Sequence, residues 1–124
     1  MKFHWDKGLI WIELKLEYDG HKYTIPNCII DTGSATTAIE IDLINFNYHL
    51  TTQIKRLSGI GGTQEVVSQN IKAIELNNSI LNNLDIEFGD LQNSYGINGF
   101  IGTDILSQFK VNIDFVNQEI NFIA

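Results

Sequence analysis

The sequence predicts an all-β domain with one short helix near its C-terminus. Three observations carry that prediction. Leu9 to Tyr18 alternates strictly, with Ile10, Ile12, Leu14, Leu16 and Tyr18 on one face and Glu13, Lys15 and Glu17 on the other, the period of a half-buried strand. Short β-prone runs follow at regular intervals, with glycine- and asparagine-rich turn signals between them. Only Thr103 to Phe109 looks helical, with Thr103 able to accept an N-terminal N–H bond.

The elements follow in chain order. Asp19-Gly20 is a hairpin signal, so His21 to Ile25 is expected to return antiparallel to Leu9–Tyr18. Pro26, lacking an N–H, is expected to end that ladder. Asn27 to Ile30 then leads into a corner, and Ala35 to Ile41 leaves it as another β-prone run, while residues 42–50 favour no element. Thr52 to Ser58 and Thr63 to Ser68 read as a long hairpin with a tip of Gly59-Ile60-Gly61-Gly62, predicted to be the most flexible point because glycine lacks a Cβ. Asn70 to Leu76 and Leu84 to Phe88 are strand candidates separated by turns around Asn77-Asn78 and Asn82-Asn83. Lys110 to Phe115 and Glu119 to Ile123 alternate around Val116-Asn117-Gln118, the final hairpin.

The 124 residues suffice for one domain, taken as 1–124, and not for two typical lobes. A function that needs two equivalent halves must therefore recruit a second copy. The hydrophobic content of 44% and charged content of 19% fit a folded globular chain. A net charge of −7, with basic residues scattered apart from Lys55-Arg56, argues against nucleic acid as a partner. Apolar runs are only a few residues long and Met1 to Asp6 lacks a signal-peptide core, so no membrane segment is expected and a cytoplasmic location is the default unless a longer precursor has been trimmed. Cys28 is the only cysteine and reads as buried packing, and His4, His21 and His49 lack ligand spacing. Neither a metal nor another cofactor is expected.

The residues that suggest chemistry lie in "NCIIDTGSATTAI", residues 27–39, where an apolar pair runs into Asp31-Thr32-Gly33-Ser34. Two readings compete: a strand ending in a turn with a solvated aspartate, or a carboxylate placed for catalysis. The triplet alone arises by chance in roughly a few per cent of chains this size. It is accompanied by the glycine hairpin at 59–62 and by "GFIGTDIL", residues 99–106.

Taken in order, "IIDTGSATTAI", "LSGIGGTQEVV" and "GINGFIGTDILSQFKVNIDFVNQEI" resemble the retropepsin-like aspartic proteases, a single-domain family that includes retroviral proteases and small bacterial relatives. The resemblance covers nearly the whole chain. It implies a closed β-barrel in which an apolar-apolar-Gly element, here Phe100-Ile101-Gly102, passes beside the catalytic loop and is followed by the short helix and terminal hairpin. It implies an endopeptidase acting on extended peptide or protein substrates, with Asp31, Thr32 and Gly33 as the catalytic loop and Ser34, Gly59, Ile60, Gly61, Gly62 and Ile101 meeting substrate. Hydrolysis without metal or covalent nucleophile needs one group to take a proton from water and another to give one to the substrate carbonyl. Two carboxylates sharing a proton do both, and the aspartic-protease dyad is itself the standing example of that effect. With one triplet per chain, the resemblance implies a homodimer in which Asp31 meets its symmetry mate.

Further roles follow from the same resemblance. Thr32 would bond across the dimer, and Gly33 would offer an N–H where a Cβ would crowd the carboxylate. Ser34 would give its hydroxyl to the outer carboxylate oxygen, a contact that favours the ionised form. Gly59 to Gly62 would form a flap over the peptide, and Gly102 would let its strand pass close to the loop. Asp104 reads as structural at the helix start. Retroviral members carry further acidic residues after the triplet and an arginine after Ile-Gly, joined at the dimer interface; Ala35, Thr36 and Thr103 stand there instead. Trp5, in the lead-in Met1–Gly8, could add to an interface, and Trp11 reads as sheet packing more readily than substrate contact. Two alternatives remain: a non-catalytic module of the same fold that binds peptide or dimerises, and a protease domain of a longer protein.

Overall fold

The computed structural model describes residues 1–50, 52–59 and 62–124. His4–Asp6 (β1) folds back on Leu9–Tyr18 (β2) through Lys7-Gly8, and β2 pairs antiparallel with His21–Ile30 (β3). Asp19 and Gly20 take φ of 48° and 79°, the two positive values that a twist-matched two-residue hairpin demands. Pro26 does not end the ladder. The β2–β3 register shifts between Ile12 and Leu14, leaving Pro26 and Asn27 in a bulge with Asn27 at φ 57°. A bulge tolerates a residue with no N–H to donate, so β3 continues to Ile30.

Ala38–Glu40 (β4) is followed by a 3₁₀ turn over Ile41–Leu43. Gln53–Gly59 (β5) and Gly62–Leu76 (β6) form the glycine hairpin, paired up to Gly59↔Gly62. One strand thus spans both segments that the sequence divides near Ser68, and Ser79–Gly89 (β7) likewise begins before Asn82-Asn83. Asn83 remains within the strand at φ 55°. The helix Gln92–Tyr95 (α1) was not expected; it is followed by Gly99–Ile101 (β8), Thr103–Leu106 (α2), Lys110–Asp114 (β9) and Glu119–Ile123 (β10).

Eight strands lie in the order β1-β2-β3-β8-β4-β7-β6-β5, and the added β2–β6 pairing closes β2, β3, β8, β4, β7 and β6 into a ring. The ring encloses Leu14, Leu16, Tyr18, Ile25, Ile39, Ile71, Ile74, Phe88 and Ile101, all almost fully buried. Each such side chain contributes about 1.5–3 kcal/mol of burial. A smaller cluster of Ile29, Ala38, Leu91, Ile97 and Phe100 lies apart from it, with Leu9 and Trp11 packed against it.

Residues 42–50 are held by side chains from the barrel. The Tyr18 hydroxyl accepts from Asn47 N–H at 2.9 Å and donates to the Gln69 amide, while Gln69 Nε2 donates to Asn47 O and Thr52 Oγ1. Met1 to Phe3 pairs with β10 through Phe3 N–H to Gln118 O (3.0 Å) and Ile120 N–H to Met1 O (2.9 Å). Trp5 packs edge-on against Phe115, 5.2 Å between ring centres.

Candidate active site

β8 is the element that organises the site. It runs parallel to β3 (Ile30↔Ile101) and antiparallel to β4 (Ala38↔Phe100), so the segment 31–37 that joins β3 to β4 must loop over the end of β8. Asp31 N–H continues the β3–β8 ladder to Ile101 O at 2.9 Å, and Thr103 N–H donates to Ser34 O at 2.8 Å. Gly102 lies beneath the loop; a Cβ there would stand 2.2 Å from Thr36 O and 2.8 Å from Ser34 O. No side chain fits.

Within the loop, Gly33 N–H donates to Asp31 Oδ1 at 3.0 Å, and Ser34 N–H to Asp31 O at 3.2 Å. The half-buried carboxylate is thereby oriented by its own turn. A Cβ on Gly33 would approach Oδ1 to 3.3 Å, tighter than ordinary contact. Thr32 is exposed.

The loop is braced from below by two acids. Asp104 Oδ2 accepts Thr37 N–H (3.0 Å) and Oδ1 accepts the Thr37 hydroxyl (2.7 Å), while that hydroxyl oxygen accepts Gly102 N–H (3.0 Å). Asp104 thus acts through Thr37, not only at the helix start. Glu87, buried on β7, accepts the Thr36 hydroxyl at 2.8 Å and has Lys55 Nζ of β5 at 4.0 Å. A second buried acid, Glu40, accepts Leu91 and Gln92 N–H at 2.9 and 2.8 Å, which fixes the start of α1.

Asp31 opens into a cleft of about 630 Å³. Its apolar walls come from the smaller cluster: Leu9, Ile29, Ile97 and Phe100, with half-exposed Tyr95 from α1. Ser34, Thr36 and Arg56 add polar edges. Among the described residues, no three His, Cys, Asp or Glu side chains gather as metal ligands.

A carboxylate on a glycine turn, crossed below by a second glycine strand and facing an apolar cleft, is the arrangement implied by the sequence resemblance. A family model of retroviral aspartyl proteases matches residues 4–114. The chain belongs to the retroviral aspartyl protease family. Curated proteins yielded no match.

Several residues depart from the roles that the sequence or the resemblance suggests for them. Ser34 Oγ donates to Thr36 O at 2.7 Å and accepts Thr36 N–H at 3.3 Å, so its hydroxyl is spent on the loop and not on Asp31. Ile101 does not meet the cleft: successive side chains of a strand face opposite ways, and Phe100 faces the cleft while Ile101 is wholly buried. Thr103 does not cap α2; Gly102 holds the cap position and the Thr103 hydroxyl donates to Ser34 O. Trp11, by contrast, keeps the sheet-packing role expected of it: Nε1 donates to Asp6 O, and its ring packs on the smaller cluster outside the cleft. Gly59 and Gly62 pair at the end of the hairpin, whereas Ile60 and Gly61 lie outside the described residues.

Arg56, Glu87, Thr37 and Tyr95 were missed. The first had a signal, as half of the only basic pair. Glu87 and Thr37 had none, because a polar residue in a strand announces neither its burial nor a partner 51 or 67 residues away.

Proposed function

We propose that the chain is an aspartic endopeptidase whose catalytic dyad forms when two copies place their Asp31 carboxylates side by side. The observation that carries this reading is Asp31 itself, oriented by Gly33 N–H and lining an apolar cleft in which, among the described residues, no second acid lies. One carboxylate takes a proton from water as the oxygen attacks the scissile carbonyl carbon; the other, protonated, gives its proton to the carbonyl oxygen. Collapse of the resulting diol breaks the C–N bond as the amine nitrogen gains a proton. The pair, not either residue, titrates. Extended peptide lies in the cleft beneath the β5–β6 hairpin, which acts as a flap.

The test is peptide-library cleavage at acidic and neutral pH, run with sedimentation and with Asp31→Asn. Cleavage blocked by pepstatin-type inhibitors and lost in a folded, self-associating Asp31→Asn variant supports the reading. Undiminished cleavage by that variant rejects it.

One observation favours a second reading, a peptide-binding module that remains monomeric. Met1 to Phe3 occupies the outer edge of β10 within the same chain, so that edge is closed to a partner strand. Sedimentation as a monomer at all concentrations, without cleavage, selects this alternative.

A further inference from the structure

Among the described residues that line the cleft, Arg56 alone is charged besides Asp31. It sits on β5 beside Lys55, and alternation along the strand sends the two side chains to opposite sides. Lys55 reaches Glu87, whereas the exposed Arg56 side chain makes no ion pair among the described residues. Its cross-strand neighbour by register is Glu65, yet no bond joins them. A guanidinium is always charged and presents a planar fork suited to a carboxylate. Here that fork is presented to an apolar cleft.

We infer that Arg56 is a specificity-determining residue that selects peptides carrying a Glu or Asp side chain at the position lying under β5, flanked by apolar residues that fill the walls of Leu9, Ile29, Ile97 and Phe100. This inference rests on the peptide-cleaving reading above and names its substrate class. In a dimer the cleft would hold two Arg56 guanidinium groups against a dyad that carries one negative charge while it shares a proton. The chain's net charge of −7 opposes an acidic peptide only at long range. At physiological salt that repulsion is screened beyond about 8 Å, so contact with the guanidinium decides. A carboxylate could also come from a free peptide C-terminus; the position of Arg56 in the middle of β5, at an edge of the cleft, favours an internal side chain.

The probes are acetylated, amidated octapeptides with an apolar centre, each flanking position carried in turn as Glu, Gln or Lys, plus one free-acid Gln peptide. Binding to Asp31→Asn is measured by fluorescence anisotropy, and cleavage by the unmodified chain is measured in parallel. At one position Glu should bind about tenfold more tightly than Gln, equivalent to ~1.4 kcal/mol, with Lys weakest. Arg56→Gln should erase the Glu–Gln ratio, and Arg56→Glu should invert it toward Lys. Equal Glu and Gln binding at every position, or a ratio that survives Arg56→Gln, overturns the inference, as does a preference only for the free-acid peptide. Cleavage of the Gln peptides without Glu preference leaves the peptidase reading standing while removing this inference. Absence of both binding and cleavage for every peptide removes both.

Discussion

Thr37 and Asp104, 67 residues apart, are joined by two hydrogen bonds, from the Thr37 backbone N–H at 3.0 Å and from its hydroxyl at 2.7 Å. The same hydroxyl accepts the buried Gly102 N–H. One threonine therefore ties the end of the Asp31 loop both to the strand beneath it and to the helix that follows. Rigidity at the loop is what a positioned carboxylate requires.

Thr37→Val keeps the shape and deletes the hydroxyl, leaving Gly102 N–H buried without a partner. Such a loss costs roughly 1–3 kcal/mol. Urea unfolding should show that drop, with Thr37→Ser recovering most of it. Equal stability of the valine variant and the parent would mean that the loop is held elsewhere.

Gly33 in the loop and Gly102 beneath it should fail differently on replacement by alanine. At Gly102 the new Cβ would meet backbone at 2.2 Å, and forced overpacking costs about 1–3 kcal/mol or more. The melting temperature should fall by several degrees. At Gly33 the clash is 3.3 Å from Asp31 Oδ1, so the carboxylate shifts while the fold survives; peptide cleavage should fall far more than stability. A stable, fully active Gly33→Ala would contradict the close approach described here.

Ser34→Ala offers a sharp contrast with expectation from sequence. Because the hydroxyl bonds Thr36 and not Asp31, the pH–rate profile should not move, while stability falls by about 1 kcal/mol. A profile displaced upward would restore the contact with the carboxylate.

Burial pushes the Cys28 thiol from its ordinary 9.0 up to about 12. Between those values the unfolded chain releases a proton that the folded chain retains, so stability should decline as pH rises from about 9 toward 12. Tyr18, raised chiefly by burial, adds to the loss in the same direction. Cys28→Ala should flatten part of that slope, and iodoacetamide should label Cys28 only on unfolding. Rapid labelling of the folded protein would contradict its burial.

Local chemistry was legible where it alone decides the structure. Asp19-Gly20 takes the backbone its residue types favour, the Leu9–Tyr18 alternation becomes the barrel-facing side of β2, and Asp31 ends a buried strand. Reading failed where a distant partner decides. Pro26 and Asn83 look like stops, yet a bulge absorbs the first, and the β6 register kept on either side of the second carries the strand past it. The α1 helix carries little signal of its own because Glu40, about 50 residues earlier, binds its first N–H groups. Ser34 and Ile101 were given roles that depend on which way a side chain turns, which spacing along the chain does not encode.

Asp31→Asn mixed into the unmodified chain at constant total concentration tests the shared dyad most directly. If each site needs an intact Asp31 from both copies, activity should fall as the square of the unmodified fraction, to about a quarter in an equal mixture. A fall in simple proportion to that fraction would place a complete site within one chain and contradict the two-copy dyad.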